Sequence, residues 1–259
     1  MQALLRRLTV EQWQTIDDEY REAEAPRAEA MWVLVAASAS LILSRYWGQR
    51  RFITGVEPVM AWFATLPQSD IYPYLYWGAF KLVNYLLVPA LCIKLVLKRR
   101  IVDFGLVTRQ HSNAWPLYFG MLAIVIPLVY GVSFTEPFLR TYPKYKGAAD
   151  SLWGFFAWEF IYALQFFLLE YFFRGFLLFS LARHMGSLSI FVMVVPYAMI
   201  HFGKPVTECV GSVLAGIALG TIALRTRTIY GGVVVHCGVA WSMDLFALMQ
   251  KGKLSQLWT

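Results

Sequence analysis

Charge is what this chain has least of. Asp, Glu, Lys and Arg make up only 15% of its 259 residues, against 58% hydrophobic residues and a mean hydropathy of +0.52. A soluble domain carries nearer a quarter charged residues, so a water-soluble enzyme is excluded. What remains is an all-α, polytopic transmembrane helical bundle. Cysteine is nearly as scarce. Cys92, Cys209 and Cys237 fall in apolar runs without ligand spacing, which reads as buried, inert thiols rather than a disulfide framework or a zinc cluster. Internal repeats and low-complexity linkers are lacking too. Residues 1–29 hold seven acidic and four basic side chains and no apolar core, so no cleavable signal peptide is expected. Thr9 followed by Gln12 reads instead as a capping box opening a short polar surface helix.

What the chain has in quantity is apolar runs. They lie near 30–46, 73–98, 115–135, 152–182, 188–203, 208–224 and 229–249, with a shorter one at 56–66. About 20 residues are needed to cross the hydrocarbon core, which predicts seven or eight spans and an integral, multi-pass membrane protein. A polar arm, 1–29, precedes the N-terminal segments and connector, 30–114, and the C-terminal segments, 115–259. The net charge of +7 is no sign of a nucleic-acid partner. Its cations gather at span ends: Arg45, Arg50 and Arg51, then Lys98, Arg99 and Arg100, then Arg225 and Arg227. Such clusters mark the cytoplasmic side of a bilayer. All three share that side if 53–69 crosses the membrane, and the first two are separated if it does not; the crossing arrangement is the one preferred. Nothing in the sequence sets an oligomeric state.

Against this apolar background, the C-terminal half keeps Glu159, Glu170, Arg174, His201, Glu208, His236 and Asp244. An Arg or Asp at a helix centre costs roughly 2.5–3.5 kcal/mol on insertion scales, so these groups should face the bundle interior and meet there. Glu170 and Arg174, four apart in "FFLLEYFFRGFLLF", can touch on one helix face. At 100° per residue Glu159 shares their stripe to within about 60°. The plain alternative is a pair that staples helices together. Pro196 in "VVPYAMIHFGKP" can bend its helix and present His201. His236 lies inside the run after Arg227, with Asp244 two turns on. Two imidazoles and a carboxylate around one water meet the minimum for general-base hydrolysis. Gly216 and Gly220 form a GxxxG face, whose expected use is close helix packing.

No cofactor is expected. A His, His, Glu set could hold zinc, but there is no HExxH, and Arg174 beside Glu170 would repel a divalent cation. Intramembrane Glu, His and Asp chains also serve proton-coupled transporters. Those usually carry paired repeats with broken helices in both halves, whereas these candidates lie in one half.

"EYFFRGFLL" (170–178), "YAMIHFGKP" (197–205) and "LAGIALGTIALRTRTIYGGVVVHCGVA" (214–240) resemble, in order and spacing, the CPBP superfamily of CAAX-prenyl-protease type II and bacteriocin-processing proteins. These are glutamic-type intramembrane endopeptidases. The resemblance covers about 150–245, and "RRIVDFGLVTR" is similar to the family's short amphipathic entry segment. It implies a helical core with a water-filled cavity, where a glutamate and a histidine activate water while a second histidine and an asparagine steady the oxyanion. In the EExxxR motif, Arg174 matches the arginine and Glu170 the second glutamate, with Leu169 at the first. FxxxH appears as Tyr197 and His201, and HxxxN as His236 and Ala240. The resemblance places the family's usual catalytic glutamate at Leu169, which cannot act as a base. Glu170, the only carboxylate left in the motif, is therefore expected to take that role with His201 and His236. Arg174 and Tyr197 support them, Glu159 is a helper, and Asp244 or Ser242 stands in for the missing asparagine. The implied substrate is a membrane-anchored protein or peptide in a bacterial inner or cell membrane. A family member that keeps the fold and binds without cutting is the alternative.

Overall fold

The structure is a computed structural model that describes residues 6–108 and 113–255. Among the described residues it is helical throughout, with one isolated bridge, Leu106 to Thr228, and no strand. In chain order the helices are α1 (Val10–Tyr20), α2 (Arg27–Tyr46), α3 (Arg50–Thr54), α4 (Glu57–Ala64), α5 (Tyr72–Leu82), α6 (Val88–Leu91), α7 (Trp115–Val132), α8 (Glu136–Thr141), α9 (Leu152–Glu170), α10 (Phe179–Met185), α11 (Leu188–Met199), α12 (Val206–Thr226) and α13 (Tyr230–Gln250). Six described stretches are long and apolar enough to cross a membrane: Arg27–Tyr46, Ser69–Val96, Trp115–Val132, Leu152–Met185, Val206–Thr226 and Tyr230–Gln250. α11 is apolar but has only 12 residues, so the described count stands at six long helices and one short one.

Two sequence expectations fail here. The segment 53–69 is no crossing helix. It breaks after Gly55 into α3 and α4, and the eight residues of α4 cover only about 12 Å at the α-helical rise. The shared sidedness of the basic clusters, which leaned on that crossing, loses its support. The capping box at Thr9 also does not form: Thr9 stands at the N-cap of α1, but its side chain makes no capping hydrogen bond. Gln12 is used elsewhere, accepting from Arg225 Nε at 3.1 Å and donating to the Arg7 carbonyl at 3.2 Å. One tertiary partner, Arg225, and one local carbonyl, that of Arg7, hold the side chain that the capping box would have used.

The chain divides into two compact units. Among the described residues, the first comprises 6–39, 85–108, 113–115 and 169–232, the second 40–84, 116–168 and 233–255. In the first, α1 is tied to the end of α12. Trp13 Nε1 donates to Thr221 Oγ1 at 3.1 Å and the Tyr20 hydroxyl donates to the Leu224 carbonyl at 2.7 Å. Asp17 accepts from the Ser187 amide at 2.6 Å, and a Cβ at Gly186 (φ +55°) would lie 2.0 Å from that same carboxylate oxygen. Glycine is required at that turn. α11 and α12 pack through the GxxxG face as expected, with added Cβ atoms meeting Val194 at 2.8 Å for Gly216 and Ile190 and Met193 at 3.2 Å for Gly220. Small residues let these backbones approach.

The second unit is built on an aromatic core. Trp158, Tyr74, Tyr145, Tyr162, Ile161 and Ala240 are all buried together, with Trp158 and Tyr162 stacked at 4.8 Å. A smaller cluster joins Val129, Phe138, Tyr142 and Ala247. The buried Asn84 amide donates to the Ser40 carbonyl at 2.6 Å and to Ser44 Oγ at 2.7 Å, a polar tie of the kind that glues apolar helices.

Candidate functional site

The first feature of the site is a break in helical pitch that α-periodicity does not anticipate. α9 ends at Glu170 and is followed without interruption by a π-helix, Tyr171–Leu178. Its bonds run i to i+5, so each turn holds more residues than an α-turn; the described residues hold two shorter π-helical stretches as well, Val83–Leu87 and Cys92–Val96. The 100° phase therefore does not carry through to Arg174. The wider turn brings residue i+4 nearly above residue i. Arg174 Nη1 accordingly donates to Glu170 Oε1 at 2.8 Å. Both side chains are fully buried, at 0% and 1% exposure. Removing one member of such a pair leaves an uncompensated charge in a low-dielectric setting, which typically costs about 3–5 kcal/mol.

Two glycines close the frame around this pair. A Cβ on Gly232, in the first turn of α13, would stand 2.5 Å from Glu170 Oε2. A Cβ on Gly175 would stand 2.7 Å from the Phe104 carbonyl. Sequence reasoning missed both positions. The Gly-Gly step that opens α13 was the available signal, since glycine inside a helix often marks a close approach.

Tyr197 connects the pair to His201. The Arg174 guanidinium lies 4.1 Å from the Tyr197 ring centroid, a cation–π contact. The Tyr197 and His201 rings meet edge-on at 4.9 Å. His201 sits in the turn just after α11, whose Pro196 lies near its C-terminal end. Its Nδ1 is 2.8 Å from the Tyr197 carbonyl. A carbonyl only accepts, so Nδ1 carries the hydrogen, and in the neutral ring Nε2 holds the lone pair. Glu170, Arg174, Tyr197 and His201 are thus brought together in the first unit, as a chain of contacts in that order.

Of the remaining sequence candidates, Glu159, His236, Ser242 and Asp244 lie in the second unit and Glu208 in the first. His236 stacks on Phe166 at 5.4 Å with the rings 5° from parallel. Asp244 is fully buried and accepts from Trp158 Nε1 at 2.7 Å. The Ser242 hydroxyl donates to the Val239 carbonyl at 2.7 Å, which commits its proton to its own helix. Glu159 is buried, with both carboxylate oxygens lacking a hydrogen-bond partner among the described residues. Glu208 is paired with Lys204 at 3.2 Å, a local i, i+4 contact. The thiols differ slightly from expectation: Cys92 and Cys237 are buried, but Cys209 is half-buried and its Sγ lies 3.1 Å from the His201 carbonyl. Among the described residues, no group of three or more His, Cys, Asp and Glu side chains is arranged to hold a metal ion.

Residues 151–242 match the family model described as Type II CAAX prenyl endopeptidase Rce1-like. The matched segment contains Glu159, Glu170, Arg174, Tyr197, His201, His236 and Ser242, with Asp244 two residues beyond it. No curated protein and no solved structure matches the chain. Over that segment, about a third of the chain, the protein is similar to the CAAX-protease-like family, and its six long apolar helices support an integral multi-pass membrane protein.

Proposed function

We propose that the protein is an intramembrane endopeptidase that hydrolyses a peptide bond in a membrane-anchored protein or peptide, using water activated by Glu170 and His201. The observation that carries this reading is the buried Glu170–Arg174 pair where α9 passes into the π-helix, connected through Tyr197 to His201. A bidentate-capable guanidinium occupying one carboxylate oxygen fixes the orientation of the other. The Nε2 lone pair of His201 supplies a second acceptor for the protons of a water. Together they provide the proton acceptors that general-base attack requires. No metal or other cofactor is assigned.

A second reading, a fold-retaining protein that binds such a segment without cutting it, is favoured by Leu169 and Ala240. They occupy the positions where the resemblance places a glutamate and an asparagine. Reconstitution into proteoliposomes with a panel of single-span and lipidated peptides distinguishes the two, with products read by mass spectrometry. Hydrolysis predicts a new carboxyl terminus that is lost in Glu170→Ala and His201→Ala. Intact peptide that co-purifies with wild-type protein supports the binding reading. Equal product from all three proteins removes Glu170 and His201 from the chemistry.

A further inference from the structure

A cleft of about 700 Å³ opens in the first unit, with Lys94, Lys98, Arg99, Arg100, Arg183 and Arg227 in its lining. Its charge is unbalanced: six cations face three carboxylates. Two of those carboxylates are already engaged. Glu19 pairs with Arg225 at 2.6 Å and stands 3.9 Å from Arg227, while Glu22 accepts from Arg183 Nε at 2.8 Å. Among the described residues, no carboxylate forms an ion pair with Lys94, Lys98, Arg99 or Arg100. Four cations within seven residues of chain repel one another unless an anion sits among them.

The position of the cleft limits what that anion can be. Lys94 lies in the last turn of the candidate span Ser69–Val96, and Lys98, in the left-handed region at φ +53°, turns the chain out of it. Arg227, at φ +58°, does the same after the candidate span Val206–Thr226. The cations therefore gather where hydrocarbon gives way to headgroups. Directly below them on the same stretch, Leu87, Leu91 and Leu95 are 49%, 57% and 70% exposed, spaced four apart along one side. A cationic cleft above an exposed leucine stripe matches an amphiphile, with an anionic head and apolar tails, better than a small soluble anion.

We propose that this cleft binds the headgroup of an anionic phospholipid, with its acyl chains against the Leu87, Leu91 and Leu95 stripe. Basic recesses between span ends are suited to such headgroups, because each cation near the surface adds to the attraction and the low-dielectric floor strengthens it. Unlike the reading given for Glu170, this proposal requires no hydrolysis.

The test uses the full-length protein, purified in a neutral detergent and stripped of lipid. Short-chain phosphatidylglycerol, short-chain phosphatidylcholine and glycerol phosphate are titrated separately, with melting temperature and native mass spectrometry as readouts. Phosphatidylglycerol should raise the melting point saturably and appear as a one-to-one adduct, whereas the other two should do neither. Lys98→Ser/Arg99→Ser/Arg100→Ser should weaken that response at least tenfold, while Arg45→Ser/Arg51→Ser keeps it. Should the triple variant fail to fold, the milder Lys94→Gln/Lys98→Gln protein carries the same expectation. An equal response to phosphatidylcholine, a full response to glycerol phosphate, or undiminished binding by the cleft variants would each overturn the proposal.

Discussion

Arg174 and Glu170 show how much one salt bridge can depend on its surroundings. Their contact was legible in the sequence, because a four-residue spacing in an apolar helix leaves two opposite charges no better partner. Tyr197 as the face on which Arg174 lies was not, because stacking across helices follows from packing rather than spacing. Glu170→Gln should lower the melting temperature substantially, since a buried guanidinium would lose its counter-charge at a cost of about 3–5 kcal/mol; an unchanged melting curve would show that the pair is not buried as described. Gly232→Ala adds a methyl 2.5 Å from Glu170 Oε2. It should therefore reduce turnover more than Gly211→Ala, where nothing lies within 4 Å, when both are assayed on the same reconstituted substrate. Equal activities would mean that the carboxylate yields without cost. Glu159, expected on the same stripe as Glu170, has its own surroundings in the second unit, where the Trp241 indole donates to its backbone carbonyl at 3.4 Å.

Among the elements, the helix 152–182 was visible in outline and misread in pitch. Hydrophobic runs report where a helix lies, but a π-turn changes only which residues share a face, and composition does not encode that directly. The N-terminal helix offers a similar lesson, since its existence was legible but its anchoring was not. α1 docks through long-range contacts, and the segment that follows is held by Arg183, which pairs with both Glu22 and Glu29. The hydrogen bond from Arg183 holds the Glu22 carboxyl below its usual value, and the Arg99 charge adds to this. A depressed carboxyl stabilises the folded form above its unfolded value, near 4.5, and that contribution is lost as pH falls through the folded value. Limited proteolysis near 21–26 should accelerate on acidification below about pH 4.5, and Glu22→Gln should flatten that dependence. A cleavage rate that does not change with pH in the wild-type protein would contradict the anchoring role.

For the molecule as a whole, scarcity of charge settled the class, and length settled little more. The six long helices agree with the apolar runs, whereas the run at 56–66 proved too short and too broken to cross. A run of that length is equally compatible with a surface helix, so hydropathy alone could not decide it. After alkaline carbonate washing the protein should remain in the membrane pellet, and its recovery in the supernatant would refute integral insertion.

The most direct test of the central claim is kcat/KM for Arg174→Lys on a cleaved membrane peptide, compared with wild type at matched melting temperature. Lysine keeps the charge and loses the planar fork that orients Glu170. The account predicts a fall of at least about tenfold, equivalent to roughly 1.4 kcal/mol of transition-state stabilisation. A value within twofold of wild type would show that the pair does not hold the carboxylate for chemistry.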